Sequence, residues 1–273
     1  MMLNIIFYIF LFLYGVIVGS FLNVCILRIP LKETIVSKRS HCMTCGHQLA
    51  WYDLFPLFSY LFLGGKCRYC KAKISKQYPI IEFLNGVFAV LCFLFGGFFP
   101  SDIVTVYNWG WFGYSVLVLF LSAILCSILI VISVIDWRTF EIPLGANIII
   151  LILGIVRLAV NLIVYGFDGD WLDFVIGFFV VSIPLAIIYY ASKGRAIGGG
   201  DVKLMAVAGL FLGWKLAIVA LIAGCLYGSI IHIIRMKVSG EGKQLAMGPY
   251  LSAGIVTALW FGEYIVDWYA GFF

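Results

Sequence analysis

Four of the eight cysteines form two Cys-x-x-Cys pairs whose spacing suits a bound metal ion. The four are Cys42, Cys45, Cys67 and Cys70. Each pair lets two thiolates face one ion, so two pairs complete a closed tetrahedral site of the kind that holds structural zinc. Two disulfides or free thiols are the alternative, and His41 and His47 are the next ligands beside the first pair. We expect Zn²⁺, because a reducing cytoplasm disfavours disulfides.

Two aspartates stand at the ends of apolar segments. Asp136 follows the long uncharged run 111–135, and Asp201 follows Gly198–Gly200 and opens an apolar helix. An ordinary interfacial helix cap is the alternative for Asp136, whereas an acidic residue recessed in the membrane beside flexible glycines indicates a functional site. Two neighbouring carboxylates share a proton, so one can take a proton from water while the other gives its proton to the carbonyl oxygen or to the leaving amine. The pair therefore predicts peptide hydrolysis without a catalytic metal.

The elements that must position these residues are strongly apolar. The chain has 273 residues, of which 64% are hydrophobic and only 11% are charged, against about 25% charged in an ordinary soluble domain. So few charges cannot cover a globular surface, which excludes a soluble enzyme, a disordered chain and a nucleic-acid-binding domain. The composition indicates a multi-pass membrane protein.

Eight apolar segments predict eight transmembrane helices. They are 2–27, 79–99, 111–135, 145–165, 171–191, 201–214, 216–234 and 249–270. A helix needs about 20 apolar residues to cross the bilayer core, so 201–214 is short. The first segment has no basic start and exceeds a signal-peptide core, so we expect it to be retained. We expect an all-α polytopic membrane protein of three parts: a first transmembrane helix (1–27), a four-cysteine zinc loop (28–78) and a seven-helix domain carrying the aspartates (79–273).

The distribution of basic residues predicts the orientation of the chain. Half of the 18 Lys and Arg residues lie between Arg28 and Gln77. Because cytoplasmic loops carry an excess of Lys and Arg, this loop is predicted to be cytoplasmic. With eight crossings, both termini then lie outside the cytoplasm and both aspartates lie at its membrane edge. The net charge of +5 accordingly reflects membrane topology and not an acidic partner.

Further motifs occur in order along nearly the whole chain. They are Gly19–Val24, Arg28–Pro30, Trp51–Asp53, Gly65–Cys67, Tyr78–Glu82, Ile142–Pro143, Gly198–Leu204 and Gly248–Leu251. With the paired cysteines and the two aspartates, they resemble the type IV prepilin peptidases (leader peptidases/N-methyltransferases), which are intramembrane aspartic proteases of the GxGD class. Met43 departs from that pattern, since a proline is common inside the first cysteine pair.

The resemblance implies a function and a set of site residues. Asp136 and Asp201 would be the catalytic pair, cleaving the basic leader from type IV prepilins or pseudopilins at the cytoplasmic face of the bacterial inner membrane. Methylation of the new N-terminus with S-adenosylmethionine would follow. The sequence has no Gly-rich Rossmann fingerprint for this donor; Gly65, Lys66 and Glu82 are its expected contacts. Alternatively, Lys66 balances thiolate charge and Glu82 caps the second transmembrane helix.

Two other functional classes compete with the peptidase. In a transporter or ion-handling membrane protein, Asp136 and Asp201 would be proton or ion ligands. A zinc-dependent methyltransferase without protease activity would leave the aspartate pair unexplained. The partners we expect are prepilin or pseudopilin substrates and the lipid bilayer, with no nucleic acid.

Overall fold

The structure, a computed structural model, describes residues 2–35, 39–96, 109–239 and 245–272. Within these ranges every regular element is a helix, so the all-α prediction is confirmed. The chain divides into two compact units, Met1–Thr105 and Val106–Phe273. The three-part division at 1–27, 28–78 and 79–273 stays a prediction beside this grouping.

The first unit is built on two long apolar helices. Helix α1 (Met2–Arg28) packs along α3 (Gln77–Phe95). The Asn85 amide donates to the Gly15 carbonyl oxygen at 2.7 Å, so a buried polar group on α3 is satisfied by α1. A short 3-10 turn (Trp51–Leu54) and helix α2 (Phe58–Phe62) lie in the loop between them. The last residues of the predicted segment 79–99 lie outside the described ranges.

The second unit surrounds one short buried helix. Its helices are α4 (Trp109–Thr139), α5 (Leu144–Tyr165), α6 (Trp171–Val180), α7 (Ser182–Ala191), α8 (Gly199–Leu212), α9 (Trp214–Ser239) and α10 (Gly248–Ala270). Every residue of α8 from Leu204 to Leu212 is buried, and α8 packs against α5, α6, α7, α9 and α10. A helix that is apolar on all sides avoids water, and here the neighbouring helices cover it.

Each of the eight predicted segments coincides with helix, but the count of eight spans is not confirmed. Six helical stretches among the described residues are long and apolar enough to cross a membrane. They are Asn4–Arg28, Gln77–Phe95, Phe112–Thr139, Leu144–Tyr165, Trp171–Ala191 and Trp214–Val238. Helix α8 has 14 residues, a length of only about 21 Å. The remaining helix, α10, carries Glu263 and Asp267 near its end.

The predicted segment 171–191 is a single apolar stretch that the structure divides at Val181 into α6 and α7. Pro184 explains the break, because proline has no N–H to donate to the carbonyl four residues earlier, at Val180. The close approach of α6 to α8 depends on small residues, since a Cβ on Gly177 or Gly209 would collide with the backbone of the facing helix. The glycines therefore allow α6 to cover the buried helix.

Candidate active site and metal centre

The four predicted cysteine ligands converge in the first unit. Their sulfur atoms all lie within 4.8 Å of one another, and the Sγ atoms of Cys42 and Cys70 are 3.8 Å apart. A tetrahedral zinc ion with Zn–S bonds of 2.3 Å requires S···S distances of about 3.8 Å. All eight cysteines are free thiols, and the metal-binding group found among the described residues consists of cysteines alone. The cluster therefore fits a structural zinc ion.

The two cysteine pairs sit in turns of the same construction. In the first, the Cys42 N–H donates to His47 O and the Gly46 N–H donates to Cys42 O. In the second, the Cys67 N–H donates to Ala72 O and the Lys71 N–H donates to Cys67 O. The fourth residue after each leading cysteine has a positive φ, +69° at Gly46 and +61° at Lys71. The matching turns point both thiol pairs at one centre.

Local interactions shift the pKa values of two of the thiols in opposite directions. The backbone N–H groups of Cys45 and Thr44 lower the pKa of Cys42 to about 6. At Cys70 the backbone N–H of Ala72 acts in the same direction, but desolvation and the other thiols outweigh it and raise the pKa to about 11. A second thiolate is unfavourable beside the first unless a cation lies between them, which is what Zn²⁺ supplies.

Asp53 braces the cysteine loop, a role that the sequence analysis did not assign. Its side chain is 3% exposed and accepts hydrogen bonds from Arg68 Nε at 2.6 Å and Tyr69 Oη at 3.1 Å. Burial raises the pKa of Asp53, but the hydrogen bonds from Arg68 and Tyr69 outweigh it and hold the pKa below its usual value. Since Arg68 and Tyr69 lie between the second pair of cysteines, Asp53 ties the 3-10 turn to the cysteine cluster.

Gly65 and Glu82 each have a clear structural contact. Gly65 has a φ of +68°, and a Cβ there would lie 2.9 Å from the Tyr60 ring. The buried Glu82 carboxylate accepts a hydrogen bond from the Leu57 N–H at 2.8 Å, which anchors the start of α2 to α3. The side chain of Lys66 is exposed. The alternative role of Glu82, as a cap of the second transmembrane helix, does not hold, because Glu82 lies in the second turn of α3 and its carboxylate binds the loop.

In the second unit, Asp136 is held by the start of another helix. It lies in the last turn of α4, it is 4% exposed, and its Oδ2 accepts a hydrogen bond from the Gly248 N–H of α10 at 2.8 Å. A Cβ on Gly248 would lie 2.7 Å from that oxygen, so only glycine permits this approach. Gly248 belongs to one of the motifs in the sequence, but its contact with Asp136 could not be predicted from the sequence and is seen only in the folded structure.

Asp201 is fixed by the glycine segment that precedes it. It is the third residue of α8 and is 9% exposed. Its Oδ2 accepts a hydrogen bond from the N–H of Gly198, the residue that caps the helix. An acidic side chain at this position closes back on the cap and satisfies a backbone donor at the helix start.

A tight turn brings α4, α5 and the glycine segment together. Helix α4 ends at Thr139, and Phe140, with φ of +55°, donates its N–H to Asp136 O. The chain then passes through Ile142 and Pro143 into α5. Gly200 packs on Ile142, since a Cβ on Gly200 would lie 3.1 Å from Ile142 Cβ. The segment between α4 and α5 therefore packs, through Ile142, against the glycine segment that precedes Asp201.

Asp136 and Asp201 line one cavity of about 270 Å³. The other lining residues are Phe140, Glu141, Ile142, Leu144, Asn147, Gly198, Gly199, Gly200 and Lys203. The cavity thus contains two buried carboxylates, exposed glycine backbone and an apolar wall. This arrangement can hold a water molecule and an extended peptide segment between two acid–base groups. The structure brings together the two residues that the sequence placed far apart.

Comparison with known proteins gives consistent matches along the chain. The family described as "Bacterial Peptidase A24 N-terminal domain" matches residues 13–95, and the "Type IV leader peptidase family" matches residues 123–233. Three relatives are named prepilin leader peptidase/N-methyltransferase. The Myxococcus xanthus protein is 32% identical, and the match covers 86% of this chain and 65% of the length of that relative. The Bacillus subtilis protein is 31% identical over 95% of this chain and 96% of its own length. The Pectobacterium carotovorum protein is 30% identical over 90% of each. No solved structure matches this chain.

Proposed function

This chain belongs to the type IV leader peptidase family, and we propose that it removes the leader peptide from type IV prepilins or pseudopilins. It is a membrane enzyme of that family. We further propose that cleavage occurs at the cytoplasmic face of the bacterial inner membrane and that methylation of the new N-terminus follows. The observation that supports the peptidase proposal best is the single cavity lined by Asp136 and Asp201.

In the proposed mechanism the two carboxylates exchange roles around one water molecule. The ionised carboxylate takes a proton from the water, and the resulting hydroxide adds to the carbonyl carbon of the scissile bond. The protonated partner gives its proton to the leaving nitrogen as the C–N bond breaks. The products are a new carboxyl group on the leader and a new amine on the mature chain. The proton taken from water leaves one carboxyl protonated for the next cycle.

The surrounding residues orient this chemistry. The Gly248 N–H holds one oxygen of Asp136, and the Gly198 N–H holds one oxygen of Asp201, so neither carboxylate rotates without breaking a hydrogen bond. The glycines before Asp201 present backbone without side chains, which allows a peptide in extended conformation to approach closely. The substrate's apolar helix would remain in the bilayer beside the enzyme.

The cysteine loop supplies the second part of the proposal. Cys42, Cys45, Cys67 and Cys70 would hold a structural Zn²⁺ ion, which orders a loop too small for a substantial hydrophobic core. S-adenosylmethionine is the methyl donor that we propose, and it would supply the methyl group for the new N-terminus. Gly65, Lys66 and Glu82 are the residues that we propose for its site, on the strength of the family resemblance.

Incubation of the purified protein with a prepilin would test the proposal. The masses of the products, with and without S-adenosylmethionine, report cleavage and methylation separately. We expect Asp136→Asn and Asp201→Asn each to reduce cleavage by about 100-fold or more, the contribution of a general acid or base. Asp173→Asn is the matched control, because Asp173 accepts a hydrogen bond from Trp214 Nε1 and lies outside the cavity lining.

Each outcome separates the competing classes. Full cleavage by either variant of the pair would contradict the aspartic mechanism. Methylation of a pre-cleaved substrate without any cleavage by the unmodified protein would favour a methyltransferase alone. Ion uptake by proteoliposomes, abolished by the same two substitutions and without cleavage, would favour the transporter.

A further inference from the structure

We propose that the side-chain amide of Asn147 binds a main-chain peptide group of the substrate next to the scissile bond. This inference rests on the proposed peptidase function and adds a positioning residue to it. Asn147 is not part of the aspartate pair, the glycine segment or the cysteine loop.

Asn147 is a buried amide whose polar atoms are unsatisfied. The residue is 4% exposed, and both Nδ2 and Oδ1 lack a hydrogen-bond partner within the part of the chain that the structure describes. Buried side-chain amides are nearly always hydrogen-bonded, because an unpaired donor or acceptor loses its contact with water without replacement. An amide left with both groups unpaired therefore points to a ligand that satisfies them.

The position of Asn147 beside the two aspartates indicates that this ligand is the substrate. Asn147 lines the cavity that contains Asp136 and Asp201. It lies in the first turn of α5, and its backbone N–H is already bonded to the carbonyl of Pro143 at 3.4 Å. The tight link from Asp136 through Phe140 to Pro143 therefore places Asn147 in the wall of the cavity that contains both aspartates.

The chemistry of the amide matches that of a peptide backbone. Nδ2 is a donor and Oδ1 is an acceptor, so the group can donate to a substrate carbonyl oxygen and accept from a substrate N–H at the same time. An extended peptide presents such pairs along its edge, whatever its side chains are. Contact with the main chain would hold the scissile bond between the carboxylates without demanding a particular substrate side chain. The proximity of the reacting groups would depend on this contact.

The test compares Asn147 with a second asparagine of the same helix. Asn147→Leu keeps the branching of the side chain at Cγ and removes both hydrogen-bonding groups, and Asn147→Ala is a smaller second variant. Asn161→Leu is the matched control, because Asn161 is also buried on α5 but donates to Tyr114 Oη and lies outside the cavity lining. Prepilin cleavage kinetics and the thermal midpoint of each purified protein are measured.

We expect Asn147→Leu and Asn147→Ala to lower kcat/KM for cleavage by about 10- to 100-fold, the effect of one or two lost hydrogen bonds to substrate. Neither should lower the thermal midpoint through a lost hydrogen bond, because none is lost within the part of the protein that the structure describes. Asn161→Leu should have the reverse pattern, a lower midpoint with little change in kcat/KM of the folded protein.

A modified substrate gives the measurement that a purely structural role would not affect. N-methylation of a substrate amide that pairs with Oδ1 should lower kcat/KM for the wild-type protein, while Asn147→Leu should lose little more with the same substrate. The inference would be overturned if N-methylation at every flanking amide lowered kcat/KM equally in the wild-type protein and in Asn147→Leu. It would also be overturned if both Asn147 variants had wild-type kinetics. Neither result would affect the proposed peptidase function. Absence of cleavage by the wild-type protein would overturn the proposed function and this inference together.

Discussion

The contact between Gly248 and Asp136 gives the most stringent test of the active-site geometry. The N–H of Gly248 lies 2.8 Å from Asp136 Oδ2, and a Cβ added to Gly248 would lie 2.7 Å from the same oxygen and 2.9 Å from the carboxyl carbon. Gly248→Ala therefore introduces one methyl group at the point where the carboxylate is held. The substitution leaves both aspartates, all charges and the cysteine loop unchanged.

The structure sets the size of the expected displacement. Ordinary contact starts at 3.4 Å, so Oδ2 must withdraw by about 0.7 Å from the new methyl group. The withdrawal stretches a hydrogen bond to a carboxylate, which contributes roughly 1.5–3 kcal/mol. Misplacement of a reacting group by 1 Å can lower a rate by about 100-fold. We therefore expect Gly248→Ala to reduce kcat for prepilin cleavage by roughly 10- to 100-fold.

The assay is cleavage of a prepilin by purified protein in detergent, quantified by mass spectrometry, together with the thermal midpoint. Gly145→Ala is the matched control, because Gly145 also lies in the first turn of a helix beside the site and a Cβ there meets nothing within 4 Å. We expect Gly145→Ala to retain wild-type kcat and to gain a little stability, since alanine is the better helix former.

Two results would refute this reasoning. Wild-type kcat in a folded Gly248→Ala protein would mean that the carboxylate tolerates displacement or that Asp136 is not catalytic. An equal loss of activity in Gly145→Ala would mean that any methyl group near the ends of these helices impairs the enzyme, so that the specific contact with Asp136 is not the cause.

Two further predictions concern the cysteine loop. The wild-type protein should contain about one zinc ion per chain, measured by atomic absorption, and Cys42→Ser should lose it because a tetrahedral site retains only three thiolates; a metal-free protein of full activity and stability would contradict the structural role. Asp53→Asn should increase proteolysis of the loop at neutral pH. The lowered pKa of Asp53 means that its stabilisation is present above the unfolded pKa of about 3.9 and is lost as the pH falls through the folded pKa. The difference from wild type should therefore vanish in acid, and a difference that is independent of pH would contradict the carboxylate's role.

The cysteine loop shows what the spacing of residues along the chain can predict and what it cannot. Two Cys-x-x-Cys pairs predict the candidate ligands, because a four-residue turn can direct two thiolates at one ion whatever the rest of the chain does. The structure places the four sulfur atoms as that spacing predicts. The bracing by Asp53 was missed, because its partners Arg68 and Tyr69 lie on the other side of α2 in the sequence and a salt bridge between loops has no local signature.

The membrane helices show the limit of hydropathy. All eight predicted segments coincide with helix, because a long apolar run can be stable in the bilayer only as helix. Hydropathy does not distinguish a helix that meets lipid from one buried among other helices, and α8 is buried on every side. For that reason hydropathy predicts where the long helices lie, but it predicts neither the division of 171–191 into α6 and α7 nor the number of spans.

The sequence by itself determined the helical class, and it selected the four cysteines as candidate metal ligands and the two aspartates as candidate catalytic residues, because composition and turn spacing act over a few residues. Only the tertiary structure decided that Asp136 and Asp201 line one cavity, that the Gly248 N–H binds Asp136, and that Asn147 lines the same cavity. These relations join residues on α4, α5, α8 and α10, and they arise from close helix packing that depends on the fit of many side chains at once. No short stretch of sequence encodes that fit.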